Sequence, residues 1–417
     1  MTGEGVGVPA DEILEALDLS AEDPSHRFLE RLFTRFNARV PFETVSKILR
    51  DADVAEPAEK PGSPELFWEQ HLSWGAGGTC FARVAGFEAL LQELGFRVEK
   101  LLGRVEIDFD HAALRVHTER GPVLADVGFP LQALLPEAEG ETETPLTGLR
   151  VVPSERGWNV FFTAGVPIGP PGVEIFGEPV RADEFIERWR STFRADSRFL
   201  ASVGVRRTEE HRVVSFMRGE VKVEDRHSLL AVPLPPPRAA RVAELFDIDE
   251  TAVQRALALT HDLPSALPGA VLTVYLATDV SPEAAFAAVG TSDAYRRLMS
   301  GVAGVASCAA TPVGWRLELR APGEGSVGGP AGGDSKFVEE VIADAGLRRL
   351  AVRRIYPDRA YESFFEAREL RGRTYLMRAV AFEGSREDLL RNDSARGRMA
   401  GTLAVDLLAW SRLVGRG

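Results

Sequence analysis

"GGTCFARVAGFEALLQELGF", Gly77–Phe96, places one of the chain's two cysteines directly after a Gly-Gly pair, where an amphipathic pattern opens. Val84, Phe87, Leu91 and Leu94 recur at helical spacing, and Gly95 follows as a helix-ending residue. The spacing predicts a helix that begins at Cys80. Free N–H groups and the positive dipole end at a helix start favour an anionic sulfur. Gly77 and Gly78 let the backbone turn tightly and let a substrate approach that sulfur.

Upstream, Leu29, Leu32, Phe33 and Phe36 predict a helix over 27–40, stopped by Pro41 in "VPFETVSK". Downstream the period changes. The runs 97–107, 111–118 and 123–129, with "ERGP" between the last two, read as a strand meander. His111 and Asp126 then stand near the open ends of one hairpin. A turn centred on Thr118–Glu119 puts them directly opposite, and a turn centred on Gly121 displaces them by a few residues. An Asp accepting from one imidazole nitrogen fixes the tautomer, and the other nitrogen is left to take a thiol proton. Cys80, His111 and Asp126 are therefore the candidate catalytic set, suited to acyl transfer through a thioester. No metal site is expected.

The bulk properties limit the alternatives. At 417 residues the chain is too long for one ordinary core, so two or three domains are expected. A net charge of −13 argues against a nucleic-acid or anionic-membrane surface. Two cysteines, Cys80 and Cys308, build no disulfide framework and point to a reducing compartment. The N-terminal stretch has no secretory pattern, and no apolar run approaches the roughly 18 residues of a membrane span. A cytoplasmic protein is expected.

Farther along, 183–195 reads as a helix, 199–225 as several short strands, and the proline stretch near 233–237 leads into one or two helices. From about 266 the pattern restarts. A strand, one or two helices and a run of strands follow, with a Gly-rich loop within 323–335 and one long last helix after Asp393. Met399, Leu403, Leu407, Trp410 and Val414 form its stripe, and Cys308 is expected in the core. The division is 1–262 and 266–417.

Four segments, "VPFETVSK" (40–47), "AGGTCFARVAGF" (76–87), "HAALRV" (111–116) and "LADVGFP" (124–130), resemble in order and spacing the arylamine N-acetyltransferase family. The resemblance spans roughly residues 10–258. It implies an α+β fold of helical bundle, β-barrel and α/β lid with a cysteine-protease-like triad. In it Cys80 is the nucleophile, His111 the base and Asp126 the orienting group, with the Cys80 N–H contributing to an oxyanion site. Phe42, Gly128 and Phe129 would contact the substrate. The family implies acetyl-CoA, or another acyl-CoA, as co-substrate, an arylamine-like amine as acceptor, and no permanently bound cofactor. Three departures strip polar support from the site: Ala76, Ala82 and Val84 stand where the family has Arg, Glu and Asn. The alternatives are an amide synthase for longer or carrier-bound acyl chains, and a non-catalytic protein binding a hydrophobic ligand. Residues 266–417 resemble the START/polyketide-cyclase-like (SRPBCC) helix-grip fold, which implies an α+β domain enclosing an apolar ligand cavity.

Overall fold

A computed structural model describes residues 8–129, 131–167, 169–260, 265–267, 269–300, 303–311, 314–320, 336–355, 360–382 and 388–414. The expected Gly-rich loop lies outside these residues. The chain forms two compact units: one runs to Arg226 and resumes over Leu234–Ser265, and the other joins His227–Pro233 to the chain from Ala266 onward. Among the described residues no helix is long and apolar enough to cross a membrane.

The first unit opens with α1 (Ala10–Ala16), α2 (His26–Arg39), the two-residue strand β1 (Phe42–Glu43), α3 (Val45–Asp53), α4 (Pro64–Trp74) and α5 (Cys80–Glu93). Ser25 caps α2 through a bond from the Phe28 N–H, and Ser63 caps α4 from Leu66. The helices share a core of large apolar side chains from the predicted spacing, including Phe28, Leu32, Phe36, Phe67, Trp68 and Phe87. Phe36 is its hub, with ring centroids 4.7 Å from Phe87 and 5.8 Å from Trp68. Gly86 lets α5 meet α4, since a Cβ there would lie 2.3 Å from the Phe67 ring.

Eight strands follow: β2 (Arg97–Arg104), β3 (Asp108–Thr118), β4 (Gly121–Ala125), β5 (Leu135–Pro136), β6 (Gly140–Glu143), β7 (Gly148–Pro153), β8 (Gly157–Phe162) and β9 (Gly172–Pro179). Their order is β5-β4-β3-β2-β9-β8-β7-β6. The strand period separates two faces. Leu102, Ala112, Leu114, Val116, Val123 and Ala125 join the helical core, whereas Leu101, Ala113 and Leu124 join a second cluster with Leu149, Val160 and Ile175. The expected barrel is thus an open hydrogen-bonded order: among the described residues the end strands β5 and β6 do not pair with each other. With only two residues, β5 has little edge to offer.

Next come α6 (Ala182–Ser191), α7 (Arg198–Ala201), β10 (Gly204–Thr208), β11 (Val213–Met217) and β12 (Glu220–Glu224). β1 pairs with β10, and β10 to β12 form a meander. After β13 (Ser228–Pro233), the first unit closes with α8 (Ala239–Phe246) and α9 (Glu250–Leu259), the latter capped by Asp249.

The second unit takes β13 and adds β14 (Val271–Thr278), α10 (Pro282–Ala287), α11 (Ser292–Ser300), β15 (Gly304–Thr311), β16 (Gly314–Arg320), β17 (Lys336–Asp344), β18 (Arg349–Ile355), β19 (Ala360–Leu370), β20 (Arg373–Ala381), α12 (Asp388–Arg391) and α13 (Asp393–Val414). Its strands run in the order β13-β14-β20-β19-β18-β17-β16-β15. α13 packs on β14 and β20, and Trp410 donates to the Ala285 carbonyl at 2.8 Å. Leu403, Leu407 and Trp410 of the predicted stripe are buried, along with the charges Arg396 and Asp406. Cys308 corrects the expectation of a core residue. It lies half-buried on β15, at the sheet end, among exposed small neighbours.

Candidate active site

Backbone constraints place Cys80. α4 ends at Gly75 with φ +79°, and Gly78 has φ +65°, both left-handed conformations that favour glycine. At Gly77 a Cβ would lie 1.8 Å from the Pro41 carbonyl oxygen. The turn is held by Glu43, which is fully buried. Its Oε1 accepts from the Gly77 and Gly78 N–H groups at 3.0 and 2.6 Å and from the Ser46 hydroxyl at 2.6 Å. Cys80 emerges as the first residue of α5, 5% exposed.

His111 is aimed by a bulge. The β2–β3 register shifts between Gly103↔His111 and Arg104↔Asp108, and Phe109 has φ +65°. Such extra residues re-aim the next side chain. Asp110 stabilises the irregular turn by accepting from the Val105, Glu106 and Ile107 N–H groups. Gly103 leaves room for the ring, because a Cβ there would lie 3.2 Å from His111 Cδ2.

Asp126 follows the end of β4. The hairpin pairs Thr118 with Gly121, a turn centred between the two registers considered from sequence. His111 Nε2 and Asp126 Oδ2 lie 2.8 Å apart. The other carboxylate oxygen accepts from Gly128 and Phe129 N–H at 3.0 and 2.7 Å. With Nε2 engaged, Nδ1 is the imidazole nitrogen left for Cys80, whose Sγ lies 3.8 Å from the Asp110 carbonyl oxygen. Burial opposes charge on this ring, but the Asp126 carboxylate and the sulfur outweigh it and raise the histidine to about 10. This arrangement favours an imidazolium beside the Cys80 sulfur.

The structure thus brings Cys80, His111 and Asp126 together. Phe129 stands edge-on to His111, with centroids 6.2 Å apart, and also meets Phe162 at 5.9 Å. Phe42 is half-buried and packs on Phe199 at 5.7 Å. Gly128 is fully enclosed: a Cβ there would lie 2.6 Å from the Ala112 carbonyl oxygen, 2.8 Å from Cys80 Cβ and 3.0 Å from His111 Cε1. It acts as a spacer between the Cys80 and His111 side chains.

Sequence reasoning missed the polar frame. Arg83, 1% exposed, donates to Val127 O and Val40 O at 2.6 Å each and to Asn37 Oδ1 at 2.9 Å. It ties α2, α5 and the chain after Asp126 together. Burial lowers it to about 9, a shift partly offset by Glu43, Asp126 and Cys80. Lys47 is also nearly enclosed, at 5% exposure, and burial lowers it to about 8. The signal for Arg83 was present: it shares a helical face with Phe87 and Leu90, both fully buried.

Residues 27–147 match the family model described as N-acetyltransferase. The matched segment contains Cys80, His111 and Asp126. An arylamine N-acetyltransferase of Escherichia coli K12 is 35% identical over 113 residues, covering 25% of this chain and 38% of the relative. An arylamine N-acetyltransferase / N-hydroxyarylamine O-acetyltransferase of Salmonella typhimurium LT2 is 31% identical over 150 residues, covering 33% of this chain and 51% of the relative. The chain therefore spans about half or less of these curated relatives. Among solved structures, the Mycobacterium tuberculosis arylamine N-acetyltransferase superposes with a TM-score of 0.51 at 19% identity, over 59% of this chain and 98% of that one. The Mycobacterium marinum enzyme in complex with CoA gives a TM-score of 0.51 at 19% identity, over 59% and 97%. At that identity the likeness to the N-acetyltransferase structures is one of fold.

Proposed function

We propose that the first unit is an acyltransferase of the arylamine N-acetyltransferase type. Cys80 attacks the carbonyl carbon of acetyl-CoA while its proton passes to His111. The carbon–sulfur bond to CoA breaks, and His111 returns the proton to the departing sulfur. The acetyl group then moves from Cys80 to the nitrogen of an arylamine, whose proton His111 takes and restores to the cysteine. Asp126 holds the imidazole in the required tautomer, and the Cys80 N–H, free at the helix start, serves as an oxyanion donor. Phe42 and Phe129 flank the acceptor.

The observation that carries this reading is the placement of Cys80 across Gly128 from the His111–Asp126 pair within the matched segment. The activity named for the two bacterial relatives supports the acceptor class, and the CoA complex of the M. marinum enzyme supports the co-substrate. No resident cofactor is needed for these steps. Intact mass after incubation with acetyl-CoA tests the reading. One acetyl group is expected on the wild type and none on Cys80→Ala; an unmodified wild type refutes it.

For the second unit we propose the helix-grip role, binding of a hydrophobic small molecule. The order strand, two helices, six strands and a long helix against β14 and β20 supports it. A saturable thermal shift of the whole protein by an aromatic polyketide-like ligand tests it, and the absence of a shift across such a panel removes it.

A further inference from the structure

Arg83 lies one helical turn after Cys80 in α5, and residues three apart share a helix face. Its side chain is wholly buried, which is unusual for a charge that the acyl-transfer steps do not use. All three guanidinium nitrogens are engaged. Nε donates to Val127 O at 2.6 Å, Nη1 to Val40 O at 2.6 Å and Nη2 to Asn37 Oδ1 at 2.9 Å. Cζ stands 4.7 Å from the Phe36 ring centroid. The three acceptors are neutral, and the Glu43 and Asp126 charges act on the cation from farther away. A buried cation hydrogen-bonded only to neutral groups is a poor source of net stability, so the geometry it imposes is the better account of its presence.

The two carbonyls belong to the two segments that place the candidate residues. Val40 begins the strap 40–43. The Pro41 carbonyl oxygen of this strap closes on Gly77, where a Cβ would lie 1.8 Å from it, and the Glu43 carboxylate accepts from the Gly77 and Gly78 N–H groups. The strap therefore sets the turn that delivers Cys80. Val127 sits between Asp126 and Gly128 in the turn 126–129. Asp126 meets the imidazole at 2.8 Å and accepts from the Gly128 and Phe129 N–H groups, and Gly128 separates Cys80 Cβ from His111 Cε1. A shift of Val127 thus moves both the partner of the histidine and the spacer. Ala76 offers only a methyl group ahead of the Gly-Gly pair, so the cation at this junction comes from inside α5.

We propose that Arg83 is a positioning residue of the acyl-transfer site. Its hydrogen bonds go to neither the sulfur nor the imidazole. Its planar fork holds the strap 40–43 and the turn 126–129 against α5 at once, and so fixes the separation between Cys80 and the His111–Asp126 pair. Lysine does not replace it, because one ammonium nitrogen does not reach three acceptors met by three separate nitrogens of a plane. A displacement of the imidazole by about 0.5 Å costs about tenfold in rate. The inference rests on the acyl-transfer reading above.

The test is the pseudo-first-order rate of Cys80 alkylation by iodoacetamide at pH 7 in the whole protein, read by peptide mass so that Cys308 is counted apart. Each variant is assayed at a temperature where circular dichroism shows it folded. Arg83→Met and Arg83→Lys are both expected to alkylate at least tenfold more slowly than the wild type. In Arg83→Ala, methylguanidinium should raise the rate at least fivefold and methylammonium should not. In single-turnover acylation by acetyl-CoA the maximal rate should fall in the same proportion, with the half-saturating concentration within twofold of the wild type. A folded Arg83→Met at the wild-type rate makes Arg83 a tie of the fold alone and overturns the proposal. Arg83→Lys at the wild-type rate overturns it too, because a charge then suffices without the fork, as does a folded Arg83→Ala that methylguanidinium leaves unchanged. If Arg83→Met does not fold, Arg83→Lys and the rescue decide. A raised half-saturating concentration with an unchanged maximal rate moves Arg83 to CoA binding and also overturns the proposal. Alkylation needs no thioester. A wild type without an acetyl adduct therefore refutes the acyl-transfer reading, while the alkylation rates still decide whether Arg83 fixes Cys80 against His111.

Discussion

Replacing Gly128 with alanine inserts one methyl group between the Cys80 and His111 side chains. The new carbon would lie 2.6 Å from Ala112 O, 2.8 Å from Cys80 Cβ and 3.0 Å from His111 Cε1. Ordinary contact begins near 3.4 Å, so relief requires displacements of about 0.4–0.8 Å. Ala112 lies in the paired strand β3 and Cys80 in α5, so their backbones yield little. The imidazole, held to Asp126 by one 2.8 Å bond, yields most. Misplacement of a reacting group by about 1 Å costs on the order of 100-fold, so half that shift costs about tenfold. Overpacking adds about 1–3 kcal/mol of destabilisation. The assay is the pseudo-first-order rate of Cys80 alkylation by iodoacetamide and of acylation by acetyl-CoA, with urea unfolding in parallel. Gly128→Ala with both rates within twofold of the wild type and an unchanged unfolding midpoint would refute the spacer argument.

Three further outcomes are expected. In Asp126→Asn the carboxylate that raises His111 is gone while burial still opposes its charge, so alkylation of Cys80 at pH 7 should slow by at least tenfold; an unchanged rate counts against the ion pair. The same linkage sets a pH trend. Because the folded histidine is raised from 6.5 to about 10, its stabilisation is complete below pH 6.5 and is lost as pH rises through about 10, so the stability advantage of wild type over Asp126→Asn should shrink over that window in urea titrations. Lys47→Met should stabilise the fold at pH 7. Burial lowers this lysine from 10.5 to about 8, worth at most about 3 kcal/mol at 1.36 kcal/mol per pH unit, and the gain should vanish as pH approaches 10.5; destabilisation at pH 7 would contradict it. Arg83→Met strands Val40 O, Val127 O and Asn37 Oδ1 in the interior and should cost about 3–5 kcal/mol by urea unfolding; a cost below about 1 kcal/mol would mean that water replaces the guanidinium.

Local patterns made the three candidate residues legible. Gly-Gly before an apolar 3.6-residue period located Cys80 at a helix start, and the hairpin spacing brought His111 and Asp126 together. The bulge at 104–111 was not legible, because an irregular turn held by Asp110 leaves no period-two signature. Glu43 was missed for a different reason. Its partners Gly77 and Gly78 are backbone amides more than thirty residues away, and nothing in "PFET" names them. Arg83 was overlooked although a charge on a wholly apolar helix face is itself a signal. Cys308 was misplaced because "GVASCAAT" reads as apolar, whereas small residues at the end of a sheet remain half-open.

The excursion of β13 into the second unit affects how the protein can be made and divided. Residues 227–233 pair with β14, after which the chain returns to the first unit for about thirty residues. A nascent chain therefore carries β13 before its partner β14 has been synthesised. No single cut separates the units cleanly. A chain ending at 262 leaves the β14-facing edge of β13 unpaired, and one beginning at 266 presents β14 with unpaired N–H and C=O groups, surfaces prone to self-association. A second unit meant to stand alone needs residues 227–233 grafted ahead of β14 through a short flexible joint.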